Sequence, residues 1–149
     1  MRALVQRVKS GGVKITSEKY EQNIGKGIVL LLGVKEGDTI EDVNFVADKC
    51  SNLRIFNDEN DKMNLSIKDV NGEILIISQF TLYGDARKGN RPSYTDSAKP
   101  DVANYLYEKF IERVKQNLGN DKVKTGIFQA MMEVQIINDG PVTILVESK

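Results

Sequence analysis

The N-terminal part of the chain alternates short apolar runs with glycines, a pattern typical of β-strands. Residues 3–8 (ALVQRV) predict one strand, and Gly11 and Gly12 follow where a bulge or turn lets the chain re-enter a second strand at residues 13–15. Residues 27–34 (GIVLLLGV) are a short, continuous apolar run, which is typical of a strand covered on both faces.

Helical spacing begins after these strands and predicts a first helix over residues 39–52. Asp38, with Glu41 three residues later, has the spacing of a capping box at the start of this helix. Its apolar positions are Ile40, Val43, Ala47 and Cys50. Residues 53–56 (LRIF) then predict a further strand.

Glycine and proline mark the next boundaries. The dipeptide Asn71-Gly72 predicts a two-residue hairpin turn that leads into a strand over residues 73–80. Pro100 suits the first turn of a second helix, which Gly119 ends. One apolar face runs along this helix, at Ala103, Leu106, Phe110, Val114 and Leu118.

The C-terminal tail returns to the alternation of strands. Met132, Val134 and Ile136 lie on one face, and residues 142–146 predict a last strand after a turn signal at residues 138–141 (NDGP). About seven strands and two helices result, which predicts a mixed α/β fold with stacked mixed sheets and both helices packed on one side. The length of 149 residues favours a single domain over the whole chain.

Composition restricts the chemistry. The chain has no histidine and only one cysteine, Cys50, which excludes Ser-His-Asp and Cys-His nucleophiles and a zinc site of the N/S type. We expect no metal and no cofactor. An enzyme of this composition would use carboxylates, hydroxyls, backbone N–H groups or its own substrate. Cys50 itself is interpreted as a small apolar group in the core.

Charge and hydropathy bear on partners and location. Lys+Arg and Asp+Glu number 21 each, so any contact with a polyanion must be local. No apolar run reaches the roughly 20 residues of a membrane span, so we expect a cytoplasmic protein with no membrane partner.

Residues 84–99 (GDARKGNRPSYTDSAK) form a polar segment near the upper length of an unstructured connection. Arg87, Lys88 and Arg91 make it the only concentrated basic patch of the sequence, beside Tyr94. Two interpretations stay open, a site of phosphate contact and a solvated surface loop.

Two segments each leave a predicted strand and enter a turn, namely residues 78–85 (SQFTLYGD) and residues 138–143 (NDGPVT). Both resemble the signature motifs of the D-aminoacyl-tRNA deacylase family. The stretches KGNRPSYTDSAKP and TGIFQAMMEVQI also resemble that family, and the similarity covers essentially the whole chain. The resemblance implies a deacylase-like fold and a tRNA-editing hydrolase that removes D-amino acids, or glycine mischarged on tRNA(Ala), from the tRNA 3′ end.

The resemblance also implies a homodimer with active sites at the subunit interface. In the family a Gly-cis-Pro pair, here Gly140-Pro141, reaches into the partner's active site and rejects L-amino acids. Glycine has no side chain to reject and would be accepted. Without the resemblance, a trans proline in a surface turn would be expected.

The same resemblance assigns individual residues to the pocket. The residues at the scissile ester are Ser78, Gln79, Phe80 and Thr81. Phe128 and Met132 would contact the terminal adenosine of the tRNA. Gln129 departs from the family, which most often has glycine at this position.

Elementary chemistry agrees with this assignment. An aminoacyl ester is already activated towards water, so positioning and a pair of donors for the developing oxyanion can suffice. The backbone N–H groups around Phe80 and Thr81 are the candidate donors, and the resemblance implies help from the neighbouring ribose 2′-hydroxyl. The competing mechanism is that Thr81 acts as a covalent nucleophile, which needs an adjacent base, while the sequence offers only distant carboxylates and lysines.

Two charged residues each allow two interpretations. Asp85 is either a base or a residue that closes a turn, and Arg7 either pairs with a carboxylate of the substrate loop or faces solvent.

Two further functions compete with the tRNA-editing hydrolase. One is a non-catalytic module that holds a tRNA end through the basic loop and Phe128. The second is a general esterase or peptidase, which would need no tRNA on its substrate.

Overall fold

One long strand organises the sheet. In the computed structural model, which describes residues 1–148, this strand is β1 and spans Arg2–Ile15. The other strands are β2 (Tyr20–Ile24), β3 (Gly27–Gly33), β4 (Phe56–Asn57), β5 (Met63–Leu65), β6 (Glu73–Ser78), β7 (Val123–Thr125) and β8 (Glu133–Glu147). The two helices are α1 (Ile40–Asn52) and α2 (Pro100–Leu118).

Six of these strands form one mixed sheet, in which β1 is paired along both edges. One edge is covered by β3 beside residues 2–8 and by β2 beside residues 11–15. β8 pairs antiparallel with the other edge. β3, β6 and β7 lie side by side and run parallel, whereas β4 and β5 form a separate two-stranded sheet.

The sheet curls and buries apolar side chains on both faces. In the strand order β2-β1-β3-β6-β7, the first and last strands come close together. Tyr20 on β2 donates a hydrogen bond of 2.7 Å to the Thr125 carbonyl on β7. One face buries Val8, Val13, Ile15, Ile24, Val29, Leu75 and Ile77. Both helices pack on the other face, where Cys50 is fully buried as predicted, and burial raises the pKa of its thiol to about 12. The predicted mixed α/β fold with its helices on one side is confirmed.

α1 is capped one residue later than the sequence predicted. Thr39 is the N-cap, and its backbone N–H donates to the Asp42 carboxylate at 2.8 Å. Asp38 and Glu41 therefore do not form the predicted capping box, because Asp38 instead accepts the Lys35 N–H at 2.7 Å. The bounds of the helix still match the prediction to within one residue.

α2 has the predicted ends. Pro100 is its first residue, and Gly119, with φ 99°, ends it by donating its N–H to the Lys115 carbonyl at 2.8 Å. Arg113 joins the two helices because it donates to both Asp48 carboxylate oxygens, at 2.8 and 2.7 Å, which lowers the pKa of Asp48. Within residues 1–148, neither helix is both long enough and apolar enough to cross a lipid bilayer.

Gly11 and Gly12 do not interrupt the first strand. β1 runs through both glycines, and β2 pairs with them in regular register. A Cβ at Gly11 would lie 2.7 Å from Cγ2 of Val29, and one at Gly12 would lie 2.5 Å from Oδ1 of Asn23. The predicted bulge or turn is wrong, because these glycines are needed for close packing. A sequence does not distinguish a glycine of this kind from one in a turn.

Two predictions also fail around the β4–β5 sheet. The strand predicted at residues 53–56 is reduced to Phe56–Asn57, which pairs with β5. Asn71 and Gly72 do form a turn, in which the Gly72 N–H donates to the Ile67 carbonyl at 2.9 Å. The strand after this turn, β6, pairs in parallel with β3 and β7, so the turn does not close a hairpin.

Candidate active site

A cleft of about 750 Å³ opens at the carboxyl end of β6. Its walls come from the end of β6, from the segment that leads into α2 and from the residues between β7 and β8. Five of the six residues that the resemblance assigned to this chain's own pocket line it, namely Ser78, Gln79, Phe80, Phe128 and Met132. Segments distant in sequence therefore meet in one cavity.

Two backbone donors are free where the chain leaves β6. β6 ends at Ser78, two residues earlier than predicted, and the chain then forms a short 3₁₀ helix, Phe80–Tyr83. The Gln79 N–H ties this turn to the sheet by donating to a β3 carbonyl at 2.8 Å. The Phe80 and Thr81 N–H groups open the 3₁₀ helix, and within residues 1–148 neither donates a hydrogen bond. Two adjacent N–H groups are thus free, one at Phe80, which lines the cleft, and one at the next residue, Thr81.

Thr81 does not line the cleft, and its hydroxyl is engaged. The side-chain amide of Gln79 donates to Thr81 Oγ1. In the described part of the chain, no carboxylate or lysine is hydrogen-bonded to this hydroxyl. Thr81 therefore lacks, among residues 1–148, the neighbouring base that a nucleophilic threonine requires.

Phe128 is the half-buried aromatic side chain of the cleft. It packs against the buried ring of Tyr107, with ring centroids 6.0 Å apart. Tyr107 donates to the Ile76 carbonyl at 2.9 Å, and burial raises the pKa of its phenol. Met132, the other residue assigned to adenosine, lies against Gly126, where a Cβ would meet its sulfur at 2.5 Å. A neutral, packed layer therefore supports this wall.

Gln129 adopts a backbone conformation that suits glycine. Its φ is 65°, in the left-handed region that residues with a Cβ rarely adopt. Gln129 also lines the cleft. The one departure from the family that the sequence showed thus lies where glycine would relieve backbone strain.

Gly140 and Pro141 lie within β8 and not between two strands. Pairing with β1 continues on both sides, and residues 139–142 form a bulge that faces Arg7 alone. The Gly140–Pro141 peptide bond is cis. The turn predicted at residues 138–141 is wrong, because glycine and proline are also tolerated in the bulges of edge strands. Neither residue lines the cleft of its own chain.

Arg7 holds this bulge in place. Only 7% of Arg7 is exposed, and its Nε donates to the Asp139 carbonyl at 2.8 Å. Its Nη1 donates to the Ile55 carbonyl at 2.8 Å and to Oδ1 of Asn57 at 3.3 Å. Arg7 therefore does not face solvent, and its Nε lies 3.7 Å from Oδ2 of Asp139, which favours the interpretation of a carboxylate pair. The burial of Arg7 was not predicted. The signal was present in the sequence, because Arg7 follows Val5 at the spacing of one buried strand face.

The polar segment 84–99 is anchored and forms one wall of the cleft. The backbones of Asp85 and Ser93 exchange two hydrogen bonds, of 2.7 and 2.9 Å. The Ser97 hydroxyl donates to the Phe80 carbonyl at 3.0 Å. The end of this segment near α2 is thus fixed beside the free donors, which the sequence did not indicate.

Asp85 is paired with Arg87, whose backbone N–H also donates to the Asp85 carboxylate at 3.0 Å. Arg87 donates to its two carboxylate oxygens at 2.9 and 2.7 Å and lowers the pKa of Asp85 to about 2. A carboxylate of so low a pKa takes up almost no proton near neutral pH, which favours the turn interpretation. Among residues 1–148, no three acidic or cysteine side chains converge as metal ligands would.

Comparison with protein families decides the relationship. The family model described as D-Tyr-tRNA(Tyr) deacylase matches residues 4–147 of the chain. The chain belongs to this deacylase family. The match includes both motif segments and the cleft, and it confirms the family that the motifs predicted.

Relatives of this deacylase-family chain are similar along its whole length. A D-aminoacyl-tRNA deacylase of Thermosipho africanus is 55% identical over 149 residues, which cover 100% of this chain and 98% of that protein. A D-aminoacyl-tRNA deacylase of Fervidobacterium nodosum is 57% identical with the same coverage.

Solved structures share the fold. The c-Myc DNA Unwinding Element Binding Protein has a TM-score of 0.93 at 38% identity and covers 100% of this chain and 99% of its own. A "probable eukaryotic D-amino acid tRNA deacylase" has a TM-score of 0.83 at 18% identity and covers 98% of each chain. The second likeness, at so low an identity, supports the fold alone.

Proposed function

We propose that this chain hydrolyses the ester between a D-amino acid and the 3′ end of a tRNA. The proposal depends above all on two adjacent N–H groups that have no acceptor within residues 1–148, that of Phe80, which lines the cleft, and that of Thr81, which follows it in the chain. Family membership supplies the substrate class, since the relatives from T. africanus and F. nodosum are named for this reaction. We place the activity in the cytoplasm, where aminoacylated tRNA is used.

The reaction requires a site for negative charge more than a strong base. Water adds to the ester carbonyl, and the oxyanion accepts hydrogen bonds from the N–H groups of Phe80 and Thr81. The carbon–oxygen bond to the ribose then breaks, and the ribose 3′-oxygen takes the proton that the water loses. The neighbouring 2′-hydroxyl helps to activate the water, while Ser78 and Gln79 orient the ester along the cleft wall.

The terminal adenosine occupies the part of the cleft formed by Phe128 and Met132. The Phe128 ring is supported by Tyr107 and presents an apolar surface to the cleft. Bases of single-stranded RNA stack on such rings, and the Met132 thioether adapts to an aromatic edge. Binding the base there fixes the ester next to the two backbone donors.

We also propose that the active unit is a homodimer joined near β8. Within residues 1–148, β8 pairs only with β1, and a 15-residue strand with a free edge is a favoured surface for pairing. Its exposed side chains include Val134, Ile137 and Leu145, which are apolar. Gly140 and Pro141 do not line their own cleft, so the partner's cleft is the one that they would enter.

In this dimer the Gly140-Pro141 pair rejects L-amino acids through the main chain. Arg7 fixes the bulge, and Gly140 contributes no side chain. Backbone carbonyls of the pair bind the substrate ammonium and leave no room for an L side chain. Glycine is therefore a second substrate, as glycyl-tRNA mischarged on tRNA(Ala).

A time course of deacylation tests the proposed reaction. Purified protein is incubated with D-Tyr-tRNA or with D-tyrosine ethyl ester, which has no nucleotide. We expect release of D-tyrosine from the tRNA and much slower cleavage of the ethyl ester. Phe128→Ala should slow the tRNA reaction, whereas Tyr105→Ala, at an exposed aromatic residue outside the cleft, should not.

Contrary outcomes of the time course identify the competing functions. No release from either substrate would support a non-catalytic module that binds the tRNA end. Comparable rates on the two substrates would support a general esterase.

A further inference from the structure

We infer that Tyr94 stacks on the base of the nucleotide that precedes the terminal adenosine, while Lys99 contacts a phosphate of the same single-stranded end. This inference rests on the proposed function, because it assigns a second nucleotide of the same tRNA to the same cleft. Tyr94 and Lys99 both line that cleft.

The Tyr94 ring has a fixed position. Ser93, the preceding residue, exchanges two backbone hydrogen bonds with Asp85, and the Ser97 N–H donates to the Tyr94 carbonyl at 3.1 Å. The rings of Tyr94 and Phe80 meet edge to face, with centroids 5.2 Å apart and an interplanar angle of 66°. A ring that packs against Phe80 and projects from an anchored backbone loses little freedom when a base stacks on it.

The ring is also accessible. Gly84 lets it lie close to the backbone, because a Cβ there would be 2.9 Å from Cε1 of Tyr94. Even so, 40% of Tyr94 and 56% of Phe80 remain exposed. An ordered aromatic pair is thus left open at the cleft, and such pairs bind the bases of single strands with little sequence preference.

One cation lines the same cleft as this aromatic pair, and two more belong to the same segment of the chain. Lys99 lines the cleft, while Lys88 and Arg91 belong to the same polar segment as Tyr94. In the part of the chain that the structure describes, none of the three has a carboxylate within 4.0 Å. Along a single strand, bases alternate with phosphates. Exposed rings can stack on the bases, and unpaired cations can contact the phosphates.

The preceding nucleotide is the occupant that fits this position. Phe128, which is half-buried above Tyr107, serves the terminal adenosine in the proposed function. Tyr94 contacts Phe80, whose N–H is assigned to the ester, and its ring is more exposed than that of Phe128. The chain of the tRNA that leads away from the terminal adenosine therefore passes the Tyr94 ring.

Two substrates separate this inference from the proposed function. D-Tyr-tRNA has the preceding nucleotide, and D-tyrosyl-adenosine, with the amino acid on the ribose, lacks it. For Tyr94→Ala we expect KM for D-Tyr-tRNA to rise about ten-fold or more, with kcat unchanged. The same variant should cleave D-tyrosyl-adenosine as the wild-type protein does, which also shows that it is folded.

Conservative and remote variants complete the design. Tyr94→Phe keeps the ring and should restore most of the affinity, and Tyr105→Ala, at an exposed ring outside the cleft, serves as the control. For Lys99→Gln, the plot of log kcat/KM against log salt for D-Tyr-tRNA should lose about 0.7 of its slope, as expected for one phosphate contact on a single strand.

Each contrary result has a distinct meaning. An unchanged KM of Tyr94→Ala for D-Tyr-tRNA overturns the inference. Equal losses on both substrates also overturn it, since they assign Tyr94 to the adenosine or to the amino acid. If the wild-type protein cleaves neither substrate, the proposed function fails, and the inference fails with it.

Discussion

At the scale of single residues, the candidate chemistry belongs to the main chain of Phe80 and Thr81. Phe80 has an apolar ring and Thr81 has a hydroxyl, yet the N–H groups of both residues begin the same 3₁₀ helix. The Thr81 hydroxyl is bonded to the side chain of Gln79. This residue therefore provides a direct test of whether a backbone or a hydroxyl group acts on the ester.

Thr81→Ala removes the hydroxyl and keeps the N–H. We expect the single-turnover rate on D-Tyr-tRNA to fall by less than about ten-fold, whereas loss of a true nucleophile costs about three orders of magnitude or more. Thr81→Ser, which keeps a hydroxyl, is the control and should be active in either case. Isolation of a D-tyrosyl ester on Thr81 would contradict the expectation.

Gln129→Gly should stabilise the protein. A residue with a Cβ in the left-handed region costs about 1–2 kcal/mol, and the added freedom of glycine in the unfolded chain offsets about half of that gain. We expect the free energy of unfolding to rise by up to about 1 kcal/mol, measured by urea denaturation. Gln135→Gly, at an extended position of β8, should lower it by about the same amount. A fall for Gln129→Gly would show that the side chain itself is required.

Asp85 should titrate at unusually low pH. Its pKa in the folded protein, about 2, is below the value near 3.9 expected in an unfolded chain. The contribution of the Arg87 ion pair to the stability of the folded state is therefore fully present above about pH 4. It is lost as the pH falls through about 2. Carboxyl chemical shifts measured by NMR should show the low midpoint, and Arg87→Ala should move it towards about 3.9. A midpoint near that unfolded value in the wild-type protein would show that the pair does not persist in solution.

At the scale of elements, the bulge of β8 depends on a buried guanidinium. Arg7→Ala would leave the carbonyls of Ile55 and Asp139 without their donor, so we expect a loss of about 3 kcal/mol in the free energy of unfolding. Lys9→Ala, at an exposed position of the same strand, should change it by less than about 0.5 kcal/mol. Chemical denaturation measures both, and equal small effects would mean that Arg7 does not hold the bulge.

The sequence predicts some elements well and others poorly for physical reasons. Both helices are long and have a clear helical period, and α2 also begins at Pro100 and ends before Gly119. The bounds of α1 and α2 were therefore predicted accurately. The glycines of β1 and β8 were interpreted as turns, because a sequence does not show whether a second backbone lies against Gly11 or whether pairing continues past Gly140. Strands of three residues, such as β5 and β7, carry too short a pattern to be detected.

At the scale of the whole molecule, the cleft is formed by segments that are distant in sequence. Local sequence patterns do not show that these segments lie together. Ser78 and Phe128 were assigned to one pocket through the resemblance of their motifs, and both line the cleft. The resemblance did not indicate that the end of the polar segment 84–99 is a wall of that cleft, since this depends on contacts such as that of Ser97 with the Phe80 carbonyl. The dimer remains a prediction.

The central claim is that the cleft, together with the β8 bulge of a partner subunit, accepts D-amino acids and rejects L-amino acids. The ratio of kcat/KM for D-Tyr-tRNA to that for L-Tyr-tRNA tests this claim most directly. Gly140→Ala is the matched variant, because its Cβ would lie 3.0 Å from Nη2 of Arg7 and its φ is 135°. We predict a ratio of at least about 100 for the wild-type protein and a clear loss of that ratio or of activity in the variant. Equal rates on the D and L substrates by the wild-type protein, or cleavage of neither, would contradict the account.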